Sequence, residues 1–343
     1  MIQSGYMKTA KPRIFTLKNQ NGMTLRVSDL GGTVTELTAP DRNGKFANVV
    51  LAYDEIGDFF NNGHANSIIG RVANRISKAA FMLDGECYKL AANNGANSLH
   101  GGKVGFDRKI WNARQFASAD GPALELTYLS PDGEEAYPGN LFVRVVYTLT
   151  EYNAWRLEYW AMTDAPTVFN PTNHAYFNLS GGKRDVLDHE LTIFADRFTP
   201  TDAALIPTGE VLPVEGTVAD LRAPVRLGDV IGKNKKTPHL NCGGFDNNYL
   251  TRPHHPRAAF LYDPESGRTL ECLTSEPCIQ LYTANNLKDG TKGRKGAVYG
   301  RFHGVCLETQ HAPDAVNQPG FKPIRLDPGK VFHSTTEYVF SAK

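Results

Sequence analysis

Apolar and polar positions alternate with a period of two along much of this chain. Leu124, Leu126 and Tyr128 alternate with Glu125 and Thr127. Leu141, Val143, Val145, Tyr147 and Leu149 alternate with positions that include Arg144 and Thr148, and Trp155, Leu157, Tyr159 and Ala161 alternate with Arg156 and Glu158. Such runs put one strand face in a core and the other in solvent, so three in succession predict an antiparallel meander. Shorter strand-like runs follow at 191–194, 258–262, 269–273, 278–283 and 337–340. Upstream, 14–17 and 23–28 flank Asn19-Gln20-Asn21-Gly22, a hairpin signal, and 33–38 and 48–53 read as further strands. Convincing amphipathic helices are absent. The best helical turn, 220–227, is limited by Pro224. No βαβ rhythm, fixed repeat or low-complexity linker divides the chain. The expected fold is all-β: a large antiparallel β-sandwich, one domain over residues 12–343 behind a flexible segment at 1–11, in which Met7 is a second possible start.

Composition narrows the function. The chain has 343 residues, 41% of them apolar, and a formal net charge of +1. That balance gives no electrostatic footprint for nucleic acid or an anionic membrane. No run approaches the roughly 18 apolar residues of a spanning helix, and the N-terminus lacks the pattern of a signal peptide. The five cysteines are odd in number and form no C-x-x-C pair, which argues for free thiols in a reducing compartment and against a zinc site. A cytoplasmic protein is expected.

Candidate chemistry concentrates in two stretches. Asn170-Pro171-Thr172-Asn173-His174-Ala175-Tyr176-Phe177-Asn178-Leu179-Ser180-Gly181 crowds amides and hydroxyls beside aromatic rings. That mixture suits a sugar, whose hydroxyls take hydrogen bonds and whose apolar faces take aromatic cover. Val305-Cys306-Leu307-Glu308-Thr309 reads as a strand carrying a carboxylate on the face of Cys306. A carboxylate in an apolar run needs a partner or a task, and His174 and Glu308 are expected to meet as an acid and base pair. Each has a plainer alternative, a backbone-bonded histidine and a solvated rim glutamate.

Weaker signals surround these. Gly70-Arg71-Val72-Ala73-Asn74-Arg75-Ile76 offers groups that clamp hydroxyls or pair on a surface. Asn97-Ser98-Leu99-His100-Gly101-Gly102 is a glycine-rich loop around a histidine, where backbone can approach a ligand closely or simply turn. Asp246 follows Gly243-Gly244 and could accept from sugar hydroxyls or close a turn. Gln280 lies in an apolar run as Glu308 does. The basic loop at 290–296 does not match a phosphate loop, and His254-His255 lacks ligand spacing for a metal.

Taken together, these stretches resemble the aldose 1-epimerase family, also called galactose mutarotases. The likeness runs in a fixed order through Gly70 to Ile76, Asn97 to Gly102, Ser130 to Asn140, Asn170 to Gly181, Gly243 to Tyr249 and Leu307 to His311. The resemblance implies a large antiparallel β-sandwich that interconverts the α and β anomers of galactose, glucose or a related neutral aldose. It implies that His174 donates a proton to the ring oxygen and that Glu308 takes one from the anomeric hydroxyl. Asn74, Arg75, His100, Tyr176, Asp246 and Gln280 would hold the sugar, with the role of Arg71 open. Asn247 and Ala136 depart from the family's frequent histidine and glycine.

Ring opening and reclosure return both protons and move no electrons, so neither cofactor nor metal is implied. The mechanism calls for an ionised Glu308 and a protonated His174 on opposite sides of the sugar ring, each charge favouring the other. Three rivals remain: a non-catalytic carbohydrate-binding module, a glycoside hydrolase using Asp246 with Glu308, and a hexose-phosphate 1-epimerase, which needs more positive charge. The expected partner is a small aldose, bound by a monomer or homodimer, with no nucleic acid or membrane.

Overall fold

The three alternating runs form the meander, joined by one strand that the pattern misses. Asn112–Ser118, Gly121–Ser130, Leu141–Leu149 and Ala154–Thr163 pair antiparallel in sequence order. Leu124, Leu126, Val143, Val145 and Leu157 are buried, while Glu125 faces out between Arg114 and Arg144. The C-terminal strand Phe332–Ala342 then pairs with Ala154–Thr163 on one side and Arg268–Thr274 on the other. Beyond lie Arg257–Tyr262, Glu190–Ile193 and Val225–Arg226, completing a nine-stranded sheet. The computed structural model describes residues 11–231 and 243–343. The expected flexible segment at 1–11 thus falls outside the described residues except for Lys11, as does Cys242.

A five-stranded sheet faces the first. Its order is Leu212–Pro213, Arg197–Thr199, Asp246–Leu250, Cys278–Tyr282, Cys306–Gln310. The two sheets meet through apolar side chains and a few polar ties. Tyr338 Oη donates to the Leu307 carbonyl at 2.6 Å, and the Thr309 and Thr336 hydroxyls lie 2.5 Å apart. One core cluster draws Leu25 and Val27 from the N-terminal hairpin, Leu124, Val143 and Trp155 from the large sheet, and Tyr249, Ile279 and Leu307 from the small one. Each such side chain contributes about 1.5–3 kcal/mol when fully buried.

Two expected elements differ. Residues 48–53 contain no long strand: Phe46–Asn48 pairs with Val34–Pro40, and Val50 then makes a single bridge to Phe177. The buried run Val49–Tyr53 reads as a strand because a packed loop under an interior segment is just as apolar. The helical turn is Leu227–Val230, after Pro224 and the short strand Val225–Arg226 rather than across them. The longest helix among the described residues is Ile56–Asn61, and none is long and apolar enough to cross a membrane.

Within the turn at 133–137, Ala136 holds φ +68°. That left-handed conformation costs an L-residue about 1–2 kcal/mol, against roughly 0.5–1 kcal/mol of extra chain entropy for glycine. Ala136→Gly is expected to stabilise the protein by about 0.5–1 kcal/mol, read as a higher urea midpoint at unchanged slope.

Candidate active site

Strand register assembles one wall of the site. Gln280 pairs directly with Glu308, and Asn248 with Gln280. Asp246 lies two residues from Asn248, so Asp246, Gln280 and Glu308 share one face of three adjacent strands. Gln280 Nε2 donates to Asp246 Oδ1 at 2.6 Å, and Arg75 Nη1 lies 3.8 Å from Asp246 Oδ2. Tyr282 is opposite Asp246.

The other wall is the segment expected to be a crowd of sugar ligands. Most of its polar atoms clamp backbone instead. The Asn170 amide donates to the His311 carbonyl and accepts from the His311 N–H. Thr172 Oγ1 donates to the Thr309 carbonyl. Asn173 donates to Tyr147 Oη, and Asn178 to the carbonyls of Arg184 and His303. The bonds of Asn170 and Thr172 staple the start of this segment along the free edge of Cys306–Gln310, a usual way to cover an exposed strand edge, while Asn173 ties it to the large sheet. Only His174 and Tyr176 of this stretch line the cavity.

His174 is thereby gripped between residues two apart on one strand. Its Nε2 lies 3.7 Å from Glu308 Oε1, and its Nδ1 lies 3.4 Å from Cys306 Sγ. Its ring stacks on Tyr176, centroids 4.9 Å apart. Burial pushes the Cys306 thiol well up, so it stays protonated, and its sulfur can accept from Nδ1–H. In the neutral ring that exchanges a proton through Nε2, the hydrogen rests on Nδ1 and Nε2 keeps its lone pair toward Glu308.

The loop histidine belongs to the same cavity. His100 exchanges backbone contacts with Asn74: its N–H donates to the Asn74 carbonyl, and its Nδ1 accepts from the Asn74 N–H at 3.2 Å. The neighbouring glycines serve the chain's own packing rather than a ligand. A Cβ on Gly101, at φ +85°, would lie 1.9 Å from the Gly70 carbonyl oxygen. Arg71 is spent structurally: its guanidinium donates to Ser130 Oγ and Thr167 Oγ1 and to the carbonyls of Ser130, Pro131, Pro138 and Gly139. Asn247 alternates away from Asp246 and, like Ala136, does not line the cavity.

Of the eight candidate residues, His174, Glu308, Asn74, Arg75, His100, Tyr176 and Asp246 line one cavity of about 150 Å³. Gln280 does not; it sits behind Asp246 and orients it. The cavity also has His64, Tyr282 and Asn286 on its wall. Tyr282 was accessible from the period of two, being two residues beyond Gln280. His64 and Asn286 lie on loops that no periodicity places. A larger, shallow groove of about 780 Å³ runs past Arg252, His254 and Lys322, but it gathers no facing acid and base, and its Glu276 is tied to His311 at 2.9 Å.

Electrostatically, burial overrides mutual attraction. Glu308 is only 2% exposed, and its Oε2 has no hydrogen-bond partner among the described residues. Burial, and then the charge of Asp246, hold its pKa well above the carboxylate range, with Arg75 opposing. Burial, and then His64, push His174 down to about 3. Asp246 is raised by burial against Arg75 and Gln280. Burial therefore favours a neutral acid beside a neutral imidazole over the expected charged pair. The two forms hold the same single proton and differ only in which residue carries it. Among the described residues, no group of three or more His, Cys, Asp and Glu could hold a metal ion.

The profile of the aldose 1-epimerase family matches residues 13–339. The chain belongs to the aldose 1-epimerase family. Its relatives include a galactose mutarotase from Sus scrofa, 46% identical over 91% of this chain and 89% of that protein, and an aldose 1-epimerase from Escherichia coli K12, 32% identical over 96% of each. An aldose epimerase homologue from C. elegans superposes with a TM-score of 0.89 at 30% identity, covering 97% of this chain and 99% of that one. The antiparallel β-sandwich expected from the alternating runs, in the mutarotase-like form that the resemblance implied, is the fold of this neighbour.

The one-proton state sets a pH dependence. It spans the range between loss of the Glu308 proton above and gain of one by His174 near pH 3 below. In this family member kcat/KM is expected to lack a histidine inflection near 6.5, to fall as pH drops toward 3, where His174 gains a proton, and to fall on the other side only where Glu308 loses its proton, well above the ordinary carboxylate value. Polarimetry across pH, corrected for uncatalysed exchange, checks this.

Proposed function

We propose that this protein interconverts the α and β anomers of a neutral aldose, with His174 and Glu308 as the proton-transfer pair. The observation that carries the reading is the 3.7 Å approach of His174 Nε2 to Glu308 Oε1 inside a cavity of monosaccharide size. The ring oxygen and the C1 hydroxyl oxygen are both bonded to C1. An acid and base side by side reach both, so they need not flank the ring from opposite sides. Glu308 accepts the C1 hydroxyl proton as His174 donates to the ring oxygen. The aldehyde turns about C1–C2, and the same steps in reverse close it as either anomer.

Protonation fits this cycle. The charged pair is the form that opens the ring, and the neutral pair is the form left once it is open. Unfilled, the pocket favours the neutral form. A bound sugar brings hydroxyls that donate to Glu308 and so favour its anion. Asn74, Arg75, His100, Tyr176 and Asp246 bind the sugar in this reading, with Gln280 positioning Asp246. The site is complete within one chain. Residues 12–343 act as one domain, since a single core cluster draws on the N-terminal hairpin and both sheets. Free thiols at Cys87, Cys272, Cys278 and Cys306 accord with a cytoplasmic setting.

The observations favour a neutral aldose over the rivals. In the basic loop Arg294 is held by Glu36 at 2.7 Å, and Lys292 lies off the cavity wall, so the loop adds no phosphate site. Asp246 is engaged by Gln280 and Arg75, and the cavity lies below the ~300–1,000 Å³ of pockets for larger ligands, which leaves a hydrolase little room for a leaving group. A binding module has no use for the facing His174 and Glu308.

Freshly dissolved α-galactose should reach its equilibrium rotation faster with the protein present. No acceleration with any neutral aldose would defeat the proposal. Glu308→Gln should cut turnover by roughly 10²–10⁴-fold. His174→Asn should lower kcat far more than it raises KM. A carboxyl whose pKa is raised by folding gives stability that is whole below the unfolded value near 4.3 and is lost as pH rises. Glu308→Gln removes that loss, so at pH 7.5 the variant should melt no lower than the native protein. A Glu308→Gln protein with near-native turnover would remove Glu308 from the role of base.

A further inference from the structure

One histidine on the cavity wall has no part in the proton transfer. His64 Nδ1 lies 2.9 Å from Asp107 Oδ2. The Asp107 side chain is 1% exposed, and Arg108 Nε reaches the same oxygen at 3.6 Å. A carboxylate oxygen accepts, so the hydrogen sits on His64 Nδ1, and whenever the ring is neutral Nε2 keeps a lone pair. Among the described residues, Nε2 has no hydrogen-bond partner. The ring lies 5.0 Å from that of His100, centroid to centroid.

His100 has the opposite arrangement. Its Nδ1 accepts from the Asn74 N–H, and burial pushes its pKa well down. Its hydrogen is therefore on Nε2. Adjacent rings on one wall thus offer an acceptor and a donor. A hydroxyl satisfies both at once, donating to His64 and accepting from His100. An ether, a carbonyl or a methyl group cannot.

We propose that His64, held by Asp107, is a specificity-determining residue that reads, together with His100, one sugar hydroxyl remote from C1. The inference rests on the anomer-exchange reading. His174 serves the ring oxygen and lies 5.3 Å from His100, with His64 next to His100 in turn. Moving round the sugar from the ring oxygen away from C1 leads to the hydroxyls on C6 and C4, and one of these is the group read.

The test compares native protein, His64→Phe and His64→Gln on galactose and on its 2-deoxy, 4-deoxy and 6-deoxy analogues. Polarimetry gives kcat and KM, NMR titration gives sugar affinity separately, and thermal melting checks folding. Phe keeps the ring and removes both nitrogens; Gln keeps a donor for Asp107. One hydrogen bond corresponds to roughly a 2- to 10-fold effect. His64→Phe should raise the KM and Kd for galactose by that factor with kcat nearly unchanged. The factor should persist on 2-deoxygalactose and vanish on either the 4-deoxy or the 6-deoxy sugar, with His64→Gln showing the same selectivity to a smaller degree. An equal loss on all four sugars, or no loss on any, overturns the proposal. Selective loss of affinity without native anomer exchange would uphold the contact and defeat the catalytic reading, whereas normal exchange with unselective variants does the reverse. Absence of sugar binding overturns both.

Discussion

Everything at this site depends on a carboxyl group buried without a full hydrogen-bond partner. Glu308 stands on the buried edge strand Cys306–Gln310, and its Oε2 meets no donor among the described residues. Leaving a polar group so placed costs about 1–3 kcal/mol. The fold bears that cost because flanking positions Cys306, Leu307 and Thr309 are themselves buried and lock the strand between Cys278–Tyr282 and the 170–178 segment. In the proposed reading a sugar hydroxyl donates to this oxygen. A site already satisfied would have to break a bond before it could bind.

The same strand governs His174. Cys306 and Glu308 share a face and address the two nitrogens of one imidazole, so a single register decides where the His174 ring sits and which tautomer it adopts. A slip of one residue would turn both side chains to the opposite face. Ties from Asn170 and Thr172 to His311 and Thr309 hold the partner segment to that register. Polar residues near the chemistry are therefore mostly scaffold, and the reacting groups are few.

This division explains what the sequence disclosed. Period-two runs revealed the meander because its outer face is solvated, as Glu125 and Arg144 show. The run Val49–Tyr53 misled because it is buried all round, where alternation carries no information. Glu308 stood out as a carboxylate in an apolar run, and His174 as a histidine in a crowd of amides and hydroxyls. Asn170, Asn173 and Asn178 stood out equally, and only hydrogen-bond partners separate a clamp from a ligand. Gln280 was placed near the sugar, yet its position opposite Glu308 is a matter of pairing that one strand's sequence cannot supply. His64 was invisible because its partner Asp107 is 43 positions away on another loop.

Protonation was the least legible feature, and it follows from the same burial. Proximity of unlike charges argues for an ion pair, but the attraction must exceed the cost of stripping water from both ions. Here each partner keeps one side toward apolar or neutral groups: Tyr176 stacks on His174, and Gln280 faces Glu308. Neutralisation by proton transfer between them is the cheaper outcome, and it costs the site no proton. For a reaction that must run equally well toward either anomer, this arrangement is apt. In the proposed reading, one proton shared by two carriers, with hydroxyl donors of the bound sugar shifting it from Glu308 to His174, gives a pair that serves ring opening and ring closure alike.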